Sequence, residues 1–350
     1  TFTKMHLNDL DYEIPKELIA LHPVKPRDNS KLVVVGKNNR IIKFNEIINE
    51  LNSSDAIIIN NTKVIHAELE GEIDNQKVSI NLNKIEDTKE NTWSAFLKSK
   101  KKLMTGMKIS IFKKQFAEII KMNDYEISLK FDLPYKEFLE KIKIFGKPPI
   151  PPYIKKRGHK KSDFNNYQTI FAKNEGAVAA PTASFHFTKR LINKLKTKKI
   201  KIIYITLHVN GGTFIPIRTA NVFKHKMHYE YGCISKKSSE EINKVKNNGG
   251  RIIAIGTTVL RLLESSKDSK GYISPYKGET NIFIKPGWEI NSVDGLVTNF
   301  HTPKSTLLLL IFTLIGKKKT MRLYDFAIKN KLRFFSYGDA CLIWNKNGKV

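Results

Sequence analysis

The chain has few of the residues that make covalently stapled or metal-held folds. Its two cysteines, Cys233 and Cys341, form no Cys-x-x-Cys pair. That argues against a disulfide scaffold and against a zinc site built on thiolates, and fits a reducing compartment. Long apolar stretches are also missing. The longest, Leu307 to Ile315, falls far short of the ~20 residues that a membrane-spanning helix needs. No signal-peptide pattern opens the sequence, so a soluble, cytoplasmic protein without a membrane partner is expected. Acidic residues are scarce: 33 Asp+Glu stand against 61 Lys+Arg, a formal net charge of +28. Such an excess attracts polyanions, with nucleic acid the first partner to consider and an anionic membrane surface the second. Nucleotide bias in a coding sequence also enriches Lys, Asn and Ile, so charge alone does not settle the partner.

With 350 residues, 41% of them hydrophobic, the chain can bury a full core. Lys31–Val35 and Ala56–Ile59 are short apolar runs of the kind found in buried strands, and Phe44, Ile47, Ile48 and Leu51 between them have helical spacing. Ile14–Ala20 suggests a short helix with Pro15 at its start. From Val64 to about Asp132 the pattern alternates at period two. Strands are expected near 64–73, 76–86, 92–100, 107–112, 115–122 and 125–132, a small antiparallel barrel. A helix from Tyr135 to about Ile144 leads into the stiff, proline-rich run Gly146–Tyr153, followed by the basic run Lys155–Lys161. The fold class read from this is a layered α/β main domain, residues 1–62 and 151–350, carrying an inserted antiparallel β-barrel with its connector, residues 63–150.

Polar segments recur where apolar runs end. Asn60-Asn61-Thr62-Lys63 follows the second run, where an α/β sheet presents its functional edge; an Asx turn is the plainer reading. Gly176–Thr188 combines small residues with Pro181, Thr182 and His186, the last flanked by Phe185 and Phe187. His186 reads either as a hydrogen-bonded structural histidine or as a neutral imidazole able to accept a proton. Thr206-Leu207-His208-Val209 ends a strand and meets Gly211-Gly212-Thr213, whose amides are suited to an anion or a ligand's edge. His225 and His228 lie three apart, but no third ligand is evident nearby, so no metal is expected. Ser238-Ser239-Glu240-Glu241 has a capping-box pattern. Gly256-Thr257-Thr258 joins a buried strand to a helix, a recurrent place for negatively charged groups. Arg261 and Glu264 share a face of that helix, as a surface ion pair or as ligand contacts. Gly278–Gly287 reads as a polar turn with an apolar strand. In Val293–His301, Asp294, Asn299 and His301 bracket an apolar segment, and an apolar core helix follows.

The segments together, in order, are Asp11-Tyr12 to Leu18-Ile19-Ala20, His22-Pro23, Arg27-Asp28, Asn61-Thr62-Lys63-Val64 and Ala179–Ala183 with His186-Phe187-Thr188. They continue with Thr206–Val209, Gly212-Thr213-Phe214, His225–His228, Gly256-Thr257-Thr258 with Arg261 and Glu264-Ser265, Thr298–His301 with Pro303-Lys304-Ser305, and Gly338-Asp339-Ala340. This collinear set resembles the S-adenosylmethionine:tRNA ribosyltransferase-isomerase family of queuosine biosynthesis over nearly the whole chain. Leu21, Ser184, Asn210 and Tyr337 depart from the family's usual Gln, Gly, small residue and Phe.

The resemblance implies an α/β domain with an inserted barrel. It also implies that the ribose of S-adenosylmethionine is transferred to the aminomethyl group of a 7-deazaguanine at the tRNA wobble position, then isomerised, with release of adenine and methionine. S-Adenosylmethionine is then a substrate, and no metal or redox cofactor is expected. A monomer that grips the tRNA anticodon stem-loop is expected. For the proton transfers, made to and from the carbon beside the sulfonium, the adenine and the amine, the candidates are His186, His208, His228, His301 and Asp294. His186 and His208 come first, and Asp9 and Asp11 are weaker. Asn61, Thr62, Lys63, Pro181, Thr182, Gly211, Gly212, Thr213 and Asn299 are expected at the substrate, with Thr257, Thr258, Arg261 and Glu264 on its methionine or ribose part. A methyltransferase and a non-catalytic RNA-binding protein are the alternatives. The first lacks a glycine-rich loop near the first strand, and the second leaves the polar strand ends unexplained.

Overall fold

The computed structural model describes residues 5–123, 126–214 and 216–345. The apolar runs become strands covered on both faces. β1 (Lys31–Val35) and β2 (Arg40–Lys43) form a hairpin, and β3 (Ala56–Asn60) is wholly buried. In β3, Ala56 and Ile58 enter one core while Ile57 and Ile59 enter another. That two-sided burial explains why the strand reads as continuous rather than alternating apolar sequence. Between β2 and β3 the helical spacing produces a 3₁₀ segment, Phe44–Glu50, with Phe44 and Ile47 buried.

The first expected barrel strand divides in two. β4 (Thr62–Val64) stays with the main body, and only β5 (Glu68–Ile73) enters the barrel. With β6 (Gln76–Asp87), β7 (Thr92–Ser99), β8 (Lys108–Ile111), β9 (Gln115–Met122) and β10 (Ile127–Phe131), β5 closes a six-stranded barrel. Residue 125, where the last strand was expected to begin, lies outside the described residues. Alternate side chains such as Val78, Ile80 and Leu82 fill the interior with Trp93 and Ala95, and helix α1 (Tyr135–Phe145) packs Phe138 and Ile142 against them. Val178, from the main body, joins this barrel core.

The chain then forms the short helices α2 (Pro152–Lys155) and α3 (Asp163–Asn166), and β11 (Asn174–Ala177), which pairs in parallel with β4. The main body is completed by α4 (Lys189–Thr197), β12 (Lys201–Leu207), β13 (Glu230–Ile234), α5 (Lys236–Asn247), β14 (Ile252–Ile255), α6 (Thr257–Ser266) and β15 (Tyr276–Thr280). β16 (Gly295–Asn299), α7 (Thr306–Ile315), α8 (Lys317–Lys329) and β17 (Ala340–Trp344) follow. The nine-stranded sheet runs β15-β13-β12-β3-β14-β16-β17-β1-β2.

Some local expectations shift. Ile14–Ala20 keeps a single 3₁₀ turn, Lys16–Leu18. Helix α5 starts earlier than the capping box suggested, because Ser235 Oγ accepts the Ser238 N–H. In the 278–287 region the polar residues form β15, and Ile282–Ile284 lies outside it. Helix α7 buries nearly its whole length, as its composition requires.

Candidate active site

β12, β3, β14 and β16 are mutually parallel, so their C-terminal ends lie on one edge of the sheet. β17 is antiparallel to β16 and brings the residues that precede it to that edge. There the small-residue segment, the start of α6 and the end of β16 enclose a cavity of about 90 Å³. Pro181, Thr182, Thr257, Thr258, Asn299 and His301 line it, with Tyr153 and Ser336. Gly256 at the helix N-cap has φ of 99°, a left-handed conformation that glycine adopts without strain. The first-turn amides of α6 have no intrahelical acceptor and so are available to a ligand.

Asn60 pins this edge together. Its Oδ1 accepts the N–H groups of Thr62 and Leu207, both at 3.1 Å. Its Nδ2 donates to Leu207 O at 2.9 Å and to Thr258 Oγ1 at 3.4 Å. The Asx-turn reading therefore describes Asn60. Asn61 Oδ1 likewise accepts from Thr206 Oγ1 at 2.7 Å and from Asn174 Nδ2 at 3.2 Å. Lys63 pairs with Glu175 at 2.8 Å. None of Asn61, Thr62 and Lys63 lines the cavity.

The histidines separate into different roles. His186 is 4% exposed and stacks on Phe44 with ring centroids 4.7 Å apart. Asn299 Nδ2 donates to the carbonyls of Phe335 and Ser336, which leaves Asn299 Oδ1 as the acceptor for His186 Nε2 at 2.9 Å. His186 Nδ1 then accepts from Ser30 Oγ at 2.7 Å. Both ring nitrogens are used and burial pushes the pKa down to about 4. His186 does not line the cavity and reaches it through Asn299, which does. His208 bonds Thr62 Oγ1 at 2.8 Å and lies over Gly176, where a Cβ would come within 3.0 Å of its ring. It lines neither the cavity nor the cleft described next, and burial pushes its pKa down to about 4 as well.

His301 does line the cavity. Its Nε2 bonds Thr298 Oγ1 at 2.9 Å, and its backbone is held by Tyr324 and Tyr12. Its Nδ1 makes no hydrogen bond among the described residues, and burial pushes its pKa down to about 3.

A second concavity, about 850 Å³, opens between the barrel and the main body. Phe96 and Leu82 from the barrel and Ile150 from the proline-rich connector give it apolar walls, while Arg218, Lys224 and Lys226 supply positive charge. His228, half-buried, lines it. The two spaces share a wall: Ala179 and Val209 face the cavity while Val178 and Gly211 face the cleft. Val209 O accepts the amides of Val178 and Ala179 across that wall.

The remaining expectations are relocated. Gly212 does not offer its amide to a ligand, because it donates to Asn83 Oδ1 at 3.2 Å. A Cβ on Gly212 would lie 2.6 Å from the His228 ring, so close packing explains that glycine. The Thr213 side chain lies outside the described part of the structure. Arg261 and Glu264 are not partners: Arg261 pairs with Glu230 at 2.5 Å. Glu264 accepts from Ser292, Trp288 and Lys267. Neither lines the cavity, because one turn of helix carries both behind it. Asp294 sits at the opposite edge of the sheet, where its Oδ2 accepts the N–H of Ile252 at the start of β14. One strand length, ~15 Å, separates Asp294 from the cavity. Asp9 and Asp11 pair with Lys317 and Lys304. His225 and His228 follow a 3₁₀ turn and share no helix.

Comparison with known proteins agrees with this architecture. The family model described as queuosine biosynthesis protein matches residues 7–343. The S-adenosylmethionine:tRNA ribosyltransferase-isomerase of Sulfurihydrogenibium sp. is 42% identical over 342 residues, covering 97% of this chain and 100% of that protein. The protein of the same name from Rickettsia bellii is 42% identical over 356 residues, with 98% and 100% covered. The crystal structure of the S-adenosylmethionine tRNA ribosyltransferase from Thermotoga maritima matches with a TM-score of 0.54 and 31% identity, covering 96% of this chain and 99% of that one. The chain belongs to the queuosine biosynthesis family.

In this family member the geometry also brings forward residues that the motifs did not. Tyr153 and Ser336 line the cavity and bond each other at 2.5 Å, and burial pushes the Tyr153 phenol up to about 12. Asn83 and Glu126 face the main body from the barrel. Nothing in the local sequence marks them, since each stands among other polar residues of the barrel, Asn83 beside Lys84 and Glu126 after Asn123 and Asp124.

Proposed function

We propose that this chain transfers the ribosyl moiety of S-adenosylmethionine to the aminomethyl group of 7-aminomethyl-7-deazaguanine at the tRNA wobble position. Isomerisation then gives epoxyqueuosine-tRNA, with adenine and methionine released. The observation that carries this reading is the shared wall between a small cavity of neutral polar groups and a wide basic cleft. A reaction that joins a small sulfonium substrate to a base of a polyanion needs two such compartments in contact.

The first-turn amides and the Thr257 hydroxyl at the start of α6 suit the methionine carboxylate, which the positive end of the helix dipole favours. At about 90 Å³ the cavity takes one end of S-adenosylmethionine, with the rest directed toward the cleft. The sulfonium acidifies the adjacent ribose carbon. His301 stays neutral over the physiological range and can accept that proton at Nδ1. The same burial makes an imidazolium costly there, so the proton has to move on promptly, and the departing adenine nitrogen is the group that needs it. His228, in the cleft, is placed to take the proton that the substrate amine must lose before it attacks. Arg218, Lys224 and Lys226 position phosphates of the anticodon stem-loop without reading its sequence. The reaction is balanced without a further cofactor, because S-adenosylmethionine is consumed.

The test uses S-adenosylmethionine labelled separately in its methyl and ribose groups, with tRNA carrying the aminomethyl base. Ribose label in the tRNA, with free adenine and methionine, is the expected result. Methyl label in the tRNA would make the chain a methyltransferase and overturn the reading.

A further inference from the structure

The cleft that faces the barrel is lined by cations, yet among the described residues it contains one carboxylate. Glu126 immediately precedes β10 and lines the cleft together with His228. For a surface that only grips phosphates, a carboxylate is unfavourable, since it repels the same backbone that Lys224 and Lys226 attract. Among the described residues neither of those ammonium groups neutralises it, and no lysine or arginine pairs with it. Its titratable neighbour is His228, with Nδ1 3.9 Å from Glu126 Oε1.

The carboxylate is also held in a fixed orientation. Asn83, 2% exposed on β6, donates through Nδ2 to Glu126 Oε1 and to Ser94 Oγ at 3.3 Å. The amide of Gly212, from the main body, donates to Asn83 Oδ1 at 3.2 Å and fixes which way the Asn83 amide points. Oε1 is therefore anchored at the junction of barrel and main body. Oε2 makes no hydrogen bond among the described residues. An anchored carboxylate with one free oxygen, in a basic cleft, is built to meet a cation carried by an otherwise anionic ligand.

Resting on the function proposed above, we infer that Glu126 reads the substrate's primary amine: its free oxygen accepts a charge-assisted hydrogen bond from the aminomethyl ammonium and selects the modified base over guanine. An alkylammonium is protonated at neutral pH, so the bond forms on binding. His228, beside it, then receives the proton: the N–H bond breaks, the electron pair stays on nitrogen for attack, and the carboxylate faces the resulting imidazolium. Glu126 is here a specificity-determining residue.

The experiment compares the dissociation constants of two tRNAs that differ only at the wobble base, aminomethyl-deazaguanine or guanine, for the wild type and Glu126→Gln, without S-adenosylmethionine. The wild type is expected to prefer the aminomethyl tRNA by roughly 10- to 100-fold, the range of a hydrogen bond to a charged group. Glu126→Gln keeps an acceptor for Asn83, should retain its affinity for the guanine tRNA, and should lose most of the preference. Retained guanine-tRNA binding shows an intact cleft, so loss of preference is not misfolding. An unchanged preference in Glu126→Gln, or none in the wild type, overturns the inference. Ribose transfer by the wild type, measured on the same aminomethyl tRNA, separates the two readings. If the wild type transfers ribose while Glu126→Gln keeps its preference, only the inference falls. If the wild type transfers no ribose, the proposed function falls and takes the inference with it.

Discussion

The cavity at the sheet edge and the cleft beside the barrel share one wall but follow opposite electrostatic rules. In the cavity, polar groups are neutral and mostly partnered within the protein: Asn299 spends its amide on two carbonyls and on His186, and His301 is kept uncharged by burial. In the cleft, charges are exposed, and among the described residues Lys224, Lys226 and one oxygen of Glu126 make no pair. A compartment of neutral, hydrogen-bonded dipoles suits bond making, because fixed dipoles need not reorganise during reaction. A wide, charged compartment suits a polyanion that has to bind, be positioned and leave. The division teaches that chemistry and positioning can be altered separately in this protein.

The largest expected effect breaks the cavity alone. His301→Ala should lower kcat for ribose transfer by roughly 10²–10⁴-fold while leaving the dissociation constant of tRNA nearly unchanged, as single-turnover kinetics and a filter-binding assay would show. Near-normal turnover would remove His301 from the chemistry.

The cleft responds differently. Lys224→Ala with Lys226→Ala should weaken tRNA binding and flatten its salt dependence, reducing the slope of log K against log salt by about 1 to 2. Single-turnover chemistry at saturating tRNA should change little. An unaltered salt slope would place the phosphate contacts elsewhere.

Acid should act on the cavity side first. Unfolded histidines titrate near pH 6.5, whereas burial holds His186 down to about 4. Between those values the unfolded chain binds a proton that the folded chain refuses. The stability contributed by a neutral His186 is therefore complete above pH ~6.5 and is lost as pH falls, by roughly 1.4 kcal/mol per pH unit. His208 and His301 act in the same direction. Urea midpoints measured from pH 7 to pH 5 should fall, and a rise would contradict the buried, neutral assignment.

The smallest effect concerns neither compartment. The Tyr337 hydroxyl is buried and has no hydrogen-bond partner among the described residues, at a position where the family resemblance leads one to expect Phe. Tyr337→Phe should leave activity intact and raise stability by up to about 1 kcal/mol, readable as a higher Tm.

Much of this arrangement was legible before any coordinates. Buried strands announce themselves as apolar runs, and the parallel order of β3, β12, β14 and β16 brings the polar segments that follow them to one edge of the sheet. Alternation disclosed the barrel, because every barrel strand has an inside and an outside. What remained hidden were partners distant in sequence. His186 looked poised for proton transfer because nothing nearby reveals Ser30 or Asn299, 156 and 113 residues away, which occupy its two nitrogens. Asp294, Asn299 and His301 bracket one apolar segment in the sequence, but the direction of β16 puts Asp294 at the other edge of the sheet. Glu126 was overlooked because its meaning comes from the main body, through Asn83 and Gly212, and no pattern within the barrel encodes that contact.

The separation of the two compartments is tested most directly by measuring S-adenosylmethionine and tRNA affinities for one variant on each side of the wall. Thr257→Asp sets a carboxylate at the helix start, where the methionine carboxylate is proposed to bind. Lys224→Glu with Lys226→Glu reverses charge in the cleft. Thr257→Asp should lose S-adenosylmethionine binding by more than roughly tenfold and keep tRNA, and the double variant should do the reverse. S-Adenosylmethionine binding that survives Thr257→Asp but disappears with the cleft lysines would contradict that separation.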